Sequence, residues 1–240
     1  MFRAAARFAL PTTCLACGLR EVEELRRGGV CAGCWDALPD RDAGRCRRCD
    51  ETLPGREGAS ALCGRCLLDP PAFERLVGAV PYRGTARAIL LAFKFQGADF
   101  LGARLAETML RRLSEPGADE IVAVPATSRA RRSRGYHPAA VLASAIARRL
   151  DVPCAGDRLR KVRETEKQSR VRAAGRAANV RRAFAVEDAP PRNVLLVDDV
   201  ATSGATAREC AARLAAAGAE SITVWCFARA SRADLAAEIA

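Results

Sequence analysis

The sequence is poor in aromatic side chains, with two Trp, two Tyr and eight Phe in 240 residues, and His137 is its only histidine. With so few large rings, Ala, Leu and Val must build the core. There is no Gly-Lys pair anywhere. A nucleotide hydrolase needs a Gly-x-x-x-x-Gly-Lys loop, so that class is excluded. No apolar run approaches the roughly 20 residues that cross a bilayer, so no membrane span is expected. The start, Met1 to Leu10, has an apolar part too short and broken for a signal peptide, and Cys14 lacks the small-residue setting of a lipoprotein site. A cytoplasmic protein is the resulting expectation, with its eleven cysteines as reduced thiols. The length suits one α/β domain plus a small appendage. The net charge of +11 points to an anionic partner.

Eight cysteines form four Cys-x-x-Cys pairs, Cys14/Cys17, Cys31/Cys34, Cys46/Cys49 and Cys63/Cys66, and a shift of 32 residues maps the first four onto the second four. Each half has the spacing C-x2-C-x13-C-x2-C, close to that of a zinc site built from four cysteines. One Cys-x-x-Cys turn places two thiolates on one side of a metal and a second completes the tetrahedron. A segment this short and this poor in large apolar residues needs such a staple to fold. The spacing leaves open whether each repeat holds its own ion or the pairs interleave. Gly18, Gly33 and Gly64 lie in or after these turns, where positive φ is often required. Cys154, Cys210 and Cys226 stand alone and read as core fillers.

The chemistry concentrates at residues 193–207. Val194 to Val197 is an apolar run suited to a strand buried on both faces. Asp198 and Asp199 follow at its end, then a loop of small residues, then a helix over Ala207 to Ala217 stopped by Gly218. Loop amides and a helix N-terminus offer N–H donors to an anion, and Thr202, Ser203 and Thr206 add hydroxyls. Two carboxylates would repel a phosphate, but they accept hydrogen bonds from a ribose diol. The implied ligand is a ribose 5-phosphate group, against the plainer reading of an acidic turn before an ordinary helix.

Val194 to Thr206 resembles the phosphoribosyl pyrophosphate (PRPP) motif of type I phosphoribosyltransferases. With the cysteine-rich N-terminus, the chain as a whole, roughly residues 14 to 230, resembles the ComF family of bacterial competence proteins. The resemblance implies an α/β fold, a parallel sheet flanked by helices, over residues 70–240 behind a double zinc ribbon at 1–69; Leu67-Leu68-Asp69-Pro70-Pro71, whose double proline holds the chain extended, reads as the boundary. It implies two structural zinc ions, and Mg2+ accompanying PRPP. Asp198 and Asp199 take the catalytic role of holding the ribose diol, and Ala201, Thr202, Ser203, Gly204, Ala205 and Thr206 hold the 5′-phosphate. Lys94 stands at the family's Leu-Lys-Phe motif and is expected to face the ligand phosphates, against a solvated helix-end lysine. After a strand over Ile121 to Val124, the family's pyrophosphate loop falls on Ala126 to Tyr136, with Thr127, Ser128, Arg129 and Arg134 as expected contacts.

Two departures concern that loop and therefore turnover. Thr127 stands where the family usually has histidine, and Tyr136-His137-Pro138 replaces Phe-Asn-Gln. His137 either substitutes for the missing histidine or packs at a helix start. Residues 158–182 carry ten basic side chains against Glu164 and Glu166, and suit either a lid over the ligand or single-stranded nucleic acid. Two functions therefore stand side by side. One is transfer of phosphoribosyl from PRPP to an unknown acceptor. The other is a non-catalytic competence factor that handles single-stranded DNA together with the competence machinery, with PRPP as ligand or regulator.

Overall fold

The computed structural model describes residues 13–19, 29–53, 55, 61–126, 128–162, 183–231 and 234, with the side chains of 128–130 outside the description. Thr127, the side chains of Ser128 and Arg129, most of the basic segment (163–182) and nearly all of the tail beyond Ser231 therefore lie outside it.

Two short helices belong to the cysteine repeats, α1 (Ala32–Asp36) and α2 (Gly64–Leu68). Each begins directly after a cysteine, so the second turn of each repeat opens a helix, and Gly33 and Gly64 take no positive φ. That corrects the expectation for these two glycines. Gly18 does adopt φ +70°, and Asp50, its equivalent after the 32-residue shift, adopts φ 57°. In both turns the amide at this position bonds back to the first cysteine carbonyl at 2.8 Å.

The remainder alternates strand and helix: β1 (Arg75–Pro81), α3 (Gly84–Phe95), a 3-10 turn (Asp99–Leu101), α4 (Gly102–Arg112), β2 (Glu120–Ala123), α5 (Ser128–Arg134), α6 (Pro138–Leu150), β3 (Cys154–Ala155), β4 (Leu159–Lys161), β5 (Phe184–Val186), β6 (Asn193–Ala201), α7 (Ala205–Ala216) and β7 (Ser221–Arg229). Five strands form a parallel sheet in the order β1-β7-β6-β2-β3, while β4 and β5 pair antiparallel. Parallel strands need crossover helices, which cover both faces, so Val194 to Val197 are all buried.

One face of the sheet packs on α3, α4 and α6, and this core takes in Cys14, Cys31 and Cys34 of the first repeat. The other face packs on α7 and the β4–β5 pair, and takes in Cys46, Cys49 and Cys66 of the second. Cys210 and Cys226 are buried there, as core fillers should be, whereas Cys154 is exposed on the sheet-edge strand β3. Among the described residues no helix is long and apolar enough to cross a membrane.

Several boundaries differ from the sequence expectation, among them the start of α7 at Ala205 rather than Ala207. The strand carrying the acidic pair runs on to Ala201, because Val200 and Ala201 keep their register with Ala228 and Arg229 of β7. The arginine-rich stretch after β2 is a helix at Ser128–Arg134 rather than a loop. Ala and Arg favour helix, and nothing breaks it before Gly135 at φ +78°.

Candidate functional site

The helices after β2 lie on one face of the sheet and α7, after β6, lies on the other. The crossovers therefore diverge between these adjacent strands, the switch point outside whose carboxyl ends open α/β sheets place their ligands. Asp198 and Asp199 stand at that end of β6. Asp198 Oδ1 accepts the Asp199 amide at 2.8 Å and Asp199 Oδ1 accepts the Val200 amide at 2.7 Å. Burial pushes the Asp198 carboxyl well above the usual carboxylate range, the neighbouring Asp199 charge adds to this, and Lys94 opposes it.

Lys94, at the end of α3, sets Nζ 3.0 Å from Asp199 Oδ2 with both side chains largely covered. The structure thus brings Lys94 onto the acidic pair itself, where it offsets two adjacent negative charges. Arg134, at the end of α5, lies over the Phe95 ring at 5.0 Å, and the Phe93 and Tyr136 rings pack with centroids 5.8 Å apart. The Tyr136 hydroxyl is buried without a hydrogen-bond partner among the described residues. Burial, then the Asp99 and Asp199 charges, raise that phenol to about 12 against the pull of Arg134, so it stays a donor at neutral pH.

His137 caps the start of α6 and places Nε2 2.9 Å from the Val124 carbonyl at the end of β2. A carbonyl only accepts, so Nε2 carries the proton and Nδ1 is left as the acceptor. This is the packing role at a helix start. Burial, with help from Arg131 and Arg134, holds its pKa below 6.5, although the Val124 bond and Asp199 pull upward. The unfolded imidazole therefore takes up a proton first as pH falls, and stability is lost below about pH 6.5. Melting temperatures between pH 7.5 and 5.5 should drop more steeply for the native chain than for His137→Asn, whose amide keeps a donor for Val124; equal slopes would contradict this.

Of the phosphate-loop candidates, Ala201 ends β6, Thr202 to Gly204 form the turn, and Ala205 and Thr206 open α7. Gly204 caps α7 at φ 69°, a left-handed conformation suited to glycine, and the first turn of α7 holds no acidic residue and no side-chain cap. Ser203 Oγ accepts the Ala205 amide at 3.4 Å. The acid-free first turn of α7 thus follows closely on the acidic pair in the chain.

Arg229 went unrecognised in the sequence. It is buried at the end of β7, where Nη1 donates to the carbonyls of Ala201, Thr202 and Ala230. Its Nε donates to the Cys49 carbonyl at 3.1 Å and its Nη2 to Glu51 Oε2 at 2.7 Å. The available signal was positional: parallel neighbours β6 and β7 end level, so a charge closing the apolar run of β7 must lie beside the loop that leaves β6.

The cysteines assemble as two closed sets, Cys14/Cys17/Cys31/Cys34 and Cys46/Cys49/Cys63/Cys66, each with its four sulfurs within 4.8 Å of one another. Each repeat therefore closes on itself rather than interleaving. Zinc–thiolate bonds of about 2.3 Å in a tetrahedron require sulfurs about 3.8 Å apart. Cys14 and Cys34 lie at 3.8 Å, and Cys49 and Cys63 at 3.6 Å. Backbone amides of Cys31 and Cys63 donate to Cys14 Sγ and Cys46 Sγ at 3.3 Å. Burial opposes ionisation of these two thiols, but such amides outweigh it and bring Cys14 to about 6 and Cys46 to about 7. Both sets fit structural zinc, with no open position for catalysis.

Residues 5–67 match the double zinc ribbon domain and residues 138–238 the phosphoribosyl transferase domain. The DNA utilization protein YhgH of Salmonella typhi is 32% identical over 228 residues, covering 92% of this chain and 98% of that protein. YhgH of Escherichia coli K12 is 29% identical over 233 residues, with the same coverage. Competence protein F of Haemophilus influenzae is 29% identical over 219 residues, covering 86% of this chain and 93% of that one. With two closed cysteine sets leading into a parallel-sheet phosphoribosyl transferase domain, the chain belongs to the ComF family of competence and DNA utilization proteins.

Proposed function

We propose that the chain binds PRPP with Mg2+ in the crevice at the carboxyl ends of β2 and β6, with residues 1–69 as its metal-bearing module and 70–240 as its ligand-binding one. The carrying observation is that the Asp198/Asp199 pair near the end of β6 is followed by a tight turn at Gly204 into the acid-free start of α7. Asp198 and Asp199 hold the 2′ and 3′ hydroxyls, and Ala201 to Thr206 hold the 5′-phosphate through amides and hydroxyls. Lys94 sets a positive charge 3.0 Å from Asp199, beside the acidic pair. Thr127, Ser128, Arg129 and Arg134 are assigned to the pyrophosphate, since guanidinium groups match phosphate oxygens. The Tyr136 hydroxyl, buried and unpartnered among the described residues, is a further donor for ligand oxygen. Mg2+, brought in with the diphosphate, would supply positive charge that neutralises the leaving group.

Phosphoribosyl transfer follows from that arrangement. An acceptor forms a bond to C1 of the ribose as the C1–O bond to pyrophosphate breaks through an oxocarbenium-like state. The protein's contribution is positioning and charge neutralisation, which need no nucleophilic side chain. The decisive measurement is calorimetry of PRPP with Mg2+ on the zinc-loaded chain, with the Asp198→Asn/Asp199→Asn double variant as control. Micromolar binding that vanishes in the variant supports the site; no binding by the native chain sinks it.

A second reading is supported by Arg131 and Arg132, exposed on α5, and by relatives named for competence and DNA utilization. In it the protein handles single-stranded DNA, and PRPP acts as ligand or regulator. Phosphate contacts release counterions, so DNA affinity should fall by roughly 10³-fold or more from 50 to 200 mM salt. PRPP binding in an enclosed crevice should change far less, and a flat salt response for DNA would count against this reading.

A further inference from the structure

The second cysteine set is joined to the candidate phosphate loop through both of its turns. From the Cys46/Cys49 turn, the Cys49 carbonyl and the Glu51 carboxylate hold Arg229, and Arg229 holds the carbonyls of Ala201 and Thr202. From the Cys63/Cys66 turn, Arg65 Nη1 donates to the Ser203 carbonyl at 2.9 Å. The junction is fitted as well as bonded. A Cβ on Gly78 would lie 2.7 Å from Arg229 Cβ, so only glycine lets β1 pass the arginine. The same Gly78 donates its amide to Asp50 Oδ2 at 2.9 Å, which ties the first turn of this set to the sheet.

The chemistry of the peptide unit gives these contacts a direction. In a trans peptide the C=O and the following N–H point opposite ways. Guanidinium groups on the Thr202 and Ser203 carbonyls therefore turn the amides of Ser203 and Gly204 away from the cysteine set, to the other side of the loop. An anion binds on that side if the proposed function holds. No equivalent bond joins the first cysteine set to this loop among the described residues; its core lies on the opposite sheet face.

We propose that the second cysteine set, acting through Arg229, Glu51 and Arg65, holds the phosphate loop in its anion-binding conformation, so that metal loading of that set and PRPP binding are cooperative. This rests on the proposed function for the identity of the ligand, but the coupling of metal to loop does not. Withdrawing the metal frees the two turns from each other, and the carbonyls of Ala201 to Ser203 lose their fixed partners. Linkage then requires the reverse effect, with the bound anion slowing metal loss.

The test is hydrogen exchange of the amides of residues 203–206 in the full zinc-loaded chain. Cys63→Ser should speed their exchange about tenfold, while Cys17→Ser, in the first set, should leave it unchanged. Glu51→Gln and Arg65→Met alter exposed or half-exposed side chains, keep all eight cysteines, and should speed exchange with both zinc ions retained, so a folding defect in Cys63→Ser does not decide the matter. In the reciprocal arm, saturating PRPP with Mg2+ should slow zinc release to a chelator about tenfold in the native chain and not in Arg65→Met. Native exchange rates in Glu51→Gln and Arg65→Met would overturn the proposal. Should the native chain bind no PRPP, the proposed function fails, and the exchange comparison still decides the coupling.

Discussion

Replacing Asp198 by Asn is expected to raise the melting temperature of the ligand-free protein by a few degrees and to remove its affinity for PRPP with Mg2+. Burial and the adjacent Asp199 charge push the Asp198 pKa up in the folded chain, while the unfolded carboxyl keeps its ordinary 3.8. A carboxyl shifted this way stabilises the fold below about pH 3.8, and that contribution is lost as pH rises through the folded value. At neutral pH the buried carboxyl is a cost, whether it keeps its charge or takes up a proton. Asparagine is neutral at every pH and retains an oxygen for the Asp199 amide, so the fold keeps the bond at 2.8 Å and loses the repulsion. About 1 kcal/mol gained this way corresponds to roughly 2–4 °C in a chain of this size. The ligand loses the carboxylate that accepts a ribose hydroxyl. A functional residue held at the expense of stability is the signature sought. Thermal melts beside calorimetry decide it: an Asn variant that is less stable, or that binds PRPP unchanged, would refute this role for Asp198.

Removing zinc is expected to have the larger effect on stability. Structural zinc sites contribute about 10–16 kcal/mol in small zinc-finger peptides. Here the cysteines are themselves part of both cores, Cys14, Cys31 and Cys34 on one sheet face and Cys46, Cys49 and Cys66 on the other. Without metal, closely packed sulfurs remain: burial and neighbouring thiol groups push Cys34 and Cys49 far up, and burial is the main cause holding Cys66 at about 11. Chelation should release two zinc ions per chain and lower the melting temperature by more than about 10 °C, and zinc should restore it while Mg2+ does not. A chain that keeps its melting temperature after losing both ions would show that the ribbons fold without metal.

How far the sequence reached depended on whether a signal was local. The cysteine register specified two tetrahedral sets because eight like ligands at fixed intervals have few other uses. The run Val194 to Val197, with its acids and small-residue loop, specified a strand and a candidate phosphate site, since a doubly buried strand, carboxylates and glycine each leave a compositional mark. The arginines after Pro125 misled in shape. Their charge is legible, but seven residues without a breaker formed a helix where the family pattern implied a loop.

Tertiary structure alone decided the rest, because it turns on residues distant in the chain. That each cysteine repeat closes on itself follows from the packing of the two sets on opposite sheet faces. That Lys94 meets Asp199 follows from α3 ending beside β6, far away in sequence. Arg229 reaches from β7 to Cys49 and to Thr202 only because parallel pairing brings β1, β7 and β6 to the same level. Sequence by itself determined the parts and their chemistry. Their joining, metal set to loop and lysine to acid, required long-range pairing that no local pattern encodes.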